Sequence, residues 1–136
     1  MMPSVHILAA ITMAVRTKNP RTSMFWLPLV VLMVHALFDA IPHIEPGLLG
    51  PDFDEYHGTG FWWALTDILV GTFLTGRAMV SFPKHRKVIF LCYVAALGPD
   101  VMQTFGRLSP VEFSWLVTYT NAHSKIHWWK DALPRP

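Results

Sequence analysis

A chain of 136 residues with 52% hydrophobic, 13% aromatic and only 15% charged side chains is the size of one domain and too apolar for a typical water-soluble one. Its formal charge of +2 is slight, and its basic residues lie in short clusters between apolar runs, which argues against a nucleic-acid surface. One cysteine, Cys92, excludes an intrachain disulfide. The composition predicts a single membrane domain over residues 1–136: an all-α, small integral membrane helical bundle.

The first element is the apolar run Val5 to Val15. As a helix it measures roughly 16 Å against a hydrocarbon core of about 30 Å, so it cannot span alone. Arg16, Lys18 and Arg21 follow it instead of preceding it, which fits a half-buried or packed N-terminal helix better than a secretory signal. His6 opens this helix.

The second helix, from about Ser23 to Ile41, is long enough to span. Between Met24 and Leu37 nearly every side chain is apolar, yet His35, Asp39 and His43 follow at i, i+4, i+8. Each step turns about 40° and rises about 6 Å, so the three lie on one stripe. Pro42 disfavours helical geometry at Ile41, so the helix ends or kinks there and turns His43 toward the other two. An ionisable group in such a run needs a partner, a cavity or an ion. A helix end reaching the membrane surface with solvated polar residues is the alternative.

The loop from Glu45 to Gly60 carries Glu45, Asp52, Asp54 and Glu55 and no Lys or Arg, whereas Arg16 to Arg21 and Arg77 to Lys87 carry only positive charge. The positive-inside rule puts the basic segments in the cytoplasm and the acidic loop outside. Asp52-Phe53-Asp54 is a poor calcium loop, because Gly58 comes one position late and Trp63 stands where the closing Glu belongs. The third helix, Phe61 to Val80, then runs inward with Asp67 near its outer end, and the fourth, about Val88 to Phe105, runs outward to Gly98-Pro99-Asp100. Three spanning helices thus bring His35, Asp39, His43, Asp67 and Asp100 to one end of the bundle. A lone Asp would be costly there and a ligand cluster would not.

The last segment, Pro110 to Trp129, holds Glu112, Ser114, Thr118, Thr120 and Asn121 and is too polar for a lipid-facing span. It is expected to lie along the interface or pack on the bundle at the outer level. There His123 and His127, an i, i+4 pair able to offer two imidazoles to one metal, would complete the site.

His35-x-x-x-Asp39-x-x-Pro42-His43, Gly98-Pro99-Asp100 and His123-x-x-x-His127-Trp128 together resemble a family of small membrane-bound metal-dependent hydrolases of bacteria and phages. The pattern is also similar to zinc-dependent phospholipase C and related nucleases. That likeness implies His6, His35 with Asp39, Asp67 and His123 as ligands. This chain departs from the first family in lacking the element H-R-x-x-T-H-S, of which only Ala122-His123-Ser124 remains.

Imidazole and carboxylate donors suit zinc, with manganese or iron as alternatives. The full expected set is His6, His35, Asp39, His43, Asp67, Asp100, His123 and His127, with Asp39 and Asp67 as the catalytic carboxylates. Four of these five His with the three Asp could hold two ions clamping the attacking and leaving oxygens of a phosphoester. The expected activity is a divalent-metal-dependent hydrolase in a bacterial inner or plasma membrane. Its site would face the outer side, and its substrate would be a phosphoester or lipid phosphate at headgroup level. Two other classes stay open: a haem or quinone protein, which has no use for three nearby carboxylates, and a non-catalytic subunit or scaffold of a larger complex or oligomer, with a structural metal or none.

Overall fold

Asn19-Pro20 sets the entry to the first long helix. The Asn19 side chain accepts from the backbone N–H of Arg21 at 3.2 Å and of Thr22 at 3.5 Å, and Pro20 occupies the first turn, where its missing N–H is harmless. The computed structural model describes residues 3–41, 58–108 and 113–126. Within them the chain forms α1 (Pro3–Val15), α2 (Pro20–Ala40), α3 (Gly58–Ser81), α4 (Arg86–Leu108) and α5 (Ser114–Ile126), with a short 3-10 turn, Pro83–His85, leading into α4. Among the described residues there is no strand, as the all-α expectation requires.

α4 is the hub, packing against α2, α1, α5 and α3, and α1 is wedged between α4 and α3. The α1–α4 seam is built from Ile7, Ala10, Ile11 and Ala14 facing Val88, Ile89, Cys92, Ala95 and Ala96, all buried. Small side chains let helix backbones approach closely, the usual basis of helix association in lipid. Gly71 of α3 extends the same logic, since a Cβ there would lie 2.5 Å from Ile7 Cδ1. α1 is therefore a packed helix, and its 13 residues are fewer than a bilayer crossing needs.

α2 separates its faces cleanly. Ser23, Leu27, Val31, His35 and Asp39 recur every four residues and are buried, while Phe25, Leu29, Met33 and Leu37, offset by two, are exposed at 74%, 63%, 67% and 62%. The buried face mixes Ser23, His35 and Asp39 with Leu27 and Val31, while the exposed face is a row of large apolar side chains, unusual for a water-soluble protein. α2 and the stretch Pro83–Gly106 are each long and apolar enough to cross a membrane. α3 has the length, with 24 residues, but its glycines and threonines, with Asp67 and Arg77, dilute its apolar character. By length and apolarity two helices among the described residues meet the requirement, against the three expected.

At one end of the bundle the two basic connections meet, where the His85 Nε2–H donates to the Thr17 carbonyl at 3.1 Å. At the other end Pro99 sits inside α4, which continues without a break to Leu108. A proline there removes one backbone donor and loosens the turn before it. The carbonyls around it, Ala96 and Pro99, receive side chains from α2 and α5.

Candidate metal centre

The centre is built around Asp39, the last buried residue of the inward stripe of α2. Its Oδ2 lies 3.0 Å from His35 Nε2, one helical turn earlier, and 3.3 Å from His123 Nε2 of α5, and its Oδ1 lies 3.2 Å from His6 Nε2 of α1. Asp100 of α4 adds a second carboxylate, with Oδ1 3.6 Å from His35 Nε2. Four helices thus contribute one side chain or more to a single point. Asp39 and the three imidazoles are buried, while the Asp100 side chain is about a quarter exposed and marks the mouth.

The orientation of His35 is fixed by chemistry. Its Nδ1 is 2.9 Å from the Ala96 carbonyl oxygen. A carbonyl only accepts, so Nδ1 must carry the proton, and in the neutral ring the Nε2 lone pair then faces the cluster. Despite the 3.0 Å approach to Asp39, His35 Nε2 makes no aligned hydrogen bond among the described residues, and neither nitrogen of His6 does. A lone pair facing a carboxylate in a buried site is repulsive unless a positive charge lies between them, either a metal ion or a second proton on the ring.

The spacing suits a metal ion. One donor atom from each of His35, Asp39, Asp100 and His123 can be chosen so that all lie within 4.8 Å of one another. Tetrahedral zinc, with bonds of about 2.0–2.1 Å, separates its donors by about 3.3 Å, beside the 3.0, 3.3 and 3.6 Å contacts seen here. These four residues could hold a metal ion. His6 approaches from the other side, on the Asp39 oxygen turned away from His35 and His123, with its ring 4.2 Å from that of His35.

The outer layer comes from α4 and α5. Gln103 Oε1 accepts from His123 Nδ1 at 2.9 Å, and Gln103 Nε2 donates to Ser124 Oγ at 3.2 Å. Tyr119 stacks on the His123 ring, 5.8 Å between centroids and 12° between planes, and its hydroxyl donates to the Pro99 carbonyl at 3.2 Å. Burial, with the nearby Asp100 and Asp39 carboxylates, pushes the Tyr119 phenol up to about 12, so it stays a proton donor.

Of the residues expected from sequence, His6, His35, Asp39, Asp100 and His123 come together. Asp67 does not join them. Its Oδ2 accepts from the Ser4 backbone N–H at 2.7 Å and its Oδ1 from the Ser4 hydroxyl at 2.5 Å, so it caps the start of α1 from the neighbouring helix. It also lines a cavity of about 400 Å³ with Trp62, Trp63, Thr66 and Val70. His43, His127 and the acidic loop with its calcium-like stretch lie outside the described residues. α5 stays beside the end of α4, as its polarity predicts, and so delivers His123 to Asp39.

Sequence reading did not find Gln103 or the Ala96 carbonyl. A signal for the first existed: Gln103 lies at i+3 from Asp100 in an otherwise apolar helix, hence on the same face. The second carried none, because every residue has a carbonyl. Set against family models, curated proteins and solved structures, the chain matches none of them.

Proposed function

We propose that this chain is a small integral membrane protein that uses a divalent metal, zinc foremost, to hydrolyse a phosphoester or lipid phosphate at the outer headgroup level. The observation that carries the reading is the buried His35 Nε2, its lone pair turned into a cluster of two carboxylates and two more imidazoles. A pair of imidazoles with a pair of carboxylates is a donor set for zinc, manganese or iron. When bound, such an ion supplies Lewis acidity to water and to a phosphoryl oxygen.

In this reading α2, α3 and α4 all cross the bilayer. The outward-facing Phe61, Trp62, Leu69, Phe73 and Val80 of α3 support its membership, and the basic connections lie inside. His35, Asp39, Asp100 and His123 hold the ion, with His6 beside the Asp39 carboxylate. With Asp67 committed to Ser4, Asp100 at the mouth is the carboxylate placed to take a proton from attacking water. The protonated Tyr119 hydroxyl, near Asp100, would donate toward a leaving oxygen by giving up its bond to the Pro99 carbonyl.

One observation favours the second reading, a non-catalytic subunit with a structural metal: both oxygens of Asp67 are taken up by a helix cap. Elemental analysis of detergent-purified protein, followed by hydrolysis assays on phosphatidic acid and on a polyprenyl pyrophosphate, separates the two. Metal with turnover that Asp39→Asn abolishes supports the hydrolase. Metal without turnover supports the structural role, and metal-free wild type overturns both.

A further inference from the structure

We infer that Gln103 is a positioning residue that sets the tautomer of His123 and so decides whether that ring offers a lone pair or an N–H to Asp39. The consequence for metal rests on the reading above, whereas the tautomer itself does not.

His35 and His123 both place Nε2 beside Asp39 Oδ2, at 3.0 and 3.3 Å, but their Nδ1 atoms are held differently. His35 bonds a backbone carbonyl, which leaves one tautomer only. His123 bonds a side-chain amide, which has an accepting end and a donating end. In the observed orientation Oε1 faces Nδ1 and Nε2 faces the Ser124 hydroxyl, so the ring is protonated on Nδ1 and its Nε2 lone pair points at the cluster. With the amide reversed, the ring would carry its proton on Nε2 and donate it to Asp39, filling the place of an ion with a hydrogen bond.

Three features hold the Gln103–His123 contact in place. Gln103 and His123 are 9% and 5% exposed, so water does not compete for the contact. Gln103 stands one turn beyond Asp100 on α4, which ties the second carboxylate and the His123 clamp to one rigid element. Tyr119 covers a face of the ring, limiting its rotation. Partners behind a ligating histidine fix its orientation, and their loss typically costs 10- to 100-fold in metal affinity.

The test uses Gln103→Met, similar in length with no amide, and Gln103→Glu, which keeps an accepting oxygen. Long-range ¹⁵N–¹H correlation spectra of metal-free protein in detergent should show His123 protonated on Nδ1 in the wild type and in Gln103→Glu, and on Nε2 in Gln103→Met. Zinc affinity, measured by chelator competition, should fall about 10- to 100-fold in Gln103→Met and be retained in Gln103→Glu. A wild-type His123 protonated on Nε2, or a Gln103→Met protein unchanged in both readouts, overturns the assignment. Should wild type bind no zinc, the metal reading fails while the spectra still decide the role of Gln103. Should Gln103→Met not fold, loss of the Nδ1-protonated form in Gln103→Glu overturns the assignment and its retention supports it.

Discussion

Replacing Asp39 by Asn is the sharpest perturbation, because it preserves shape while removing the charge on which three imidazoles converge within 3.3 Å. Changes one layer out from a metal typically cost 10- to 100-fold, so loss of a carboxylate ligand should weaken zinc binding by about 100-fold or more. At a free zinc concentration 100 times the wild-type Kd, bound metal adds about 2.7 kcal/mol to folding stability. The same concentration equals the Kd of a variant weakened 100-fold, for which the gain is about 0.4 kcal/mol. The difference of about 2.3 kcal/mol corresponds to roughly 7–10 °C in Tm for a chain of this size. Paired thermal unfolding in detergent, with zinc and with chelator, reads it directly. Wild type should show the larger zinc-dependent rise, and His85→Ala, whose ring bonds Thr17 at the far end of the bundle, should match wild type. Equal zinc-dependent shifts in wild type and Asp39→Asn would refute the reasoning.

Asp67→Asn should destabilise the fold by about 1 kcal/mol, the usual worth of a helix cap, and leave zinc content unchanged; a drop in zinc content would return Asp67 to the site. Gly106→Ala should weaken zinc binding without touching a ligand, because its Cβ would run into Thr120 and come within 3.2 Å of Leu116, pushing α5 and His123 away; chelator competition reads this, and unchanged affinity would mean α5 can shift freely. Zinc affinity should fall as pH is lowered, because protons compete with the metal for imidazole and carboxylate donors; a zinc Kd unchanged between pH 8 and pH 5 would count against histidine ligation. Reporter fusions at Gly58 should read outside and those at Lys84 inside, and the reverse would place the centre on the cytoplasmic face.

Helix positions were largely legible because apolar runs and their breakers are local. The structure extends the second helix back to Pro20, an extension the Asn19-Pro20 signal already encodes. The stripe of His35 and Asp39 was legible from spacing, and Asp100 joined it through helix direction alone. Asp67 failed the same test because direction fixes a residue's depth and says nothing of the rotation of its helix. α3 turns that carboxylate onto Ser4 instead of Asp39. His6 carried no spacing signal of its own, and its place follows from the way α1 is wedged between α3 and α4.

That wedge has a consequence for how the protein is made. α1, with 13 residues and about 20 Å long, is too short to hold itself across a bilayer, and the surface that buries it, Val88 to Ala96, emerges about 80 residues later. At synthesis rates of about 5–20 residues per second, α1 waits roughly 4–16 s before its groove exists. The groove that holds His6 beside Asp39 is therefore complete only after α3 and α4 have been made, and His123 arrives later still. The cluster around Asp39 is complete only when the last of the five described helices has been made.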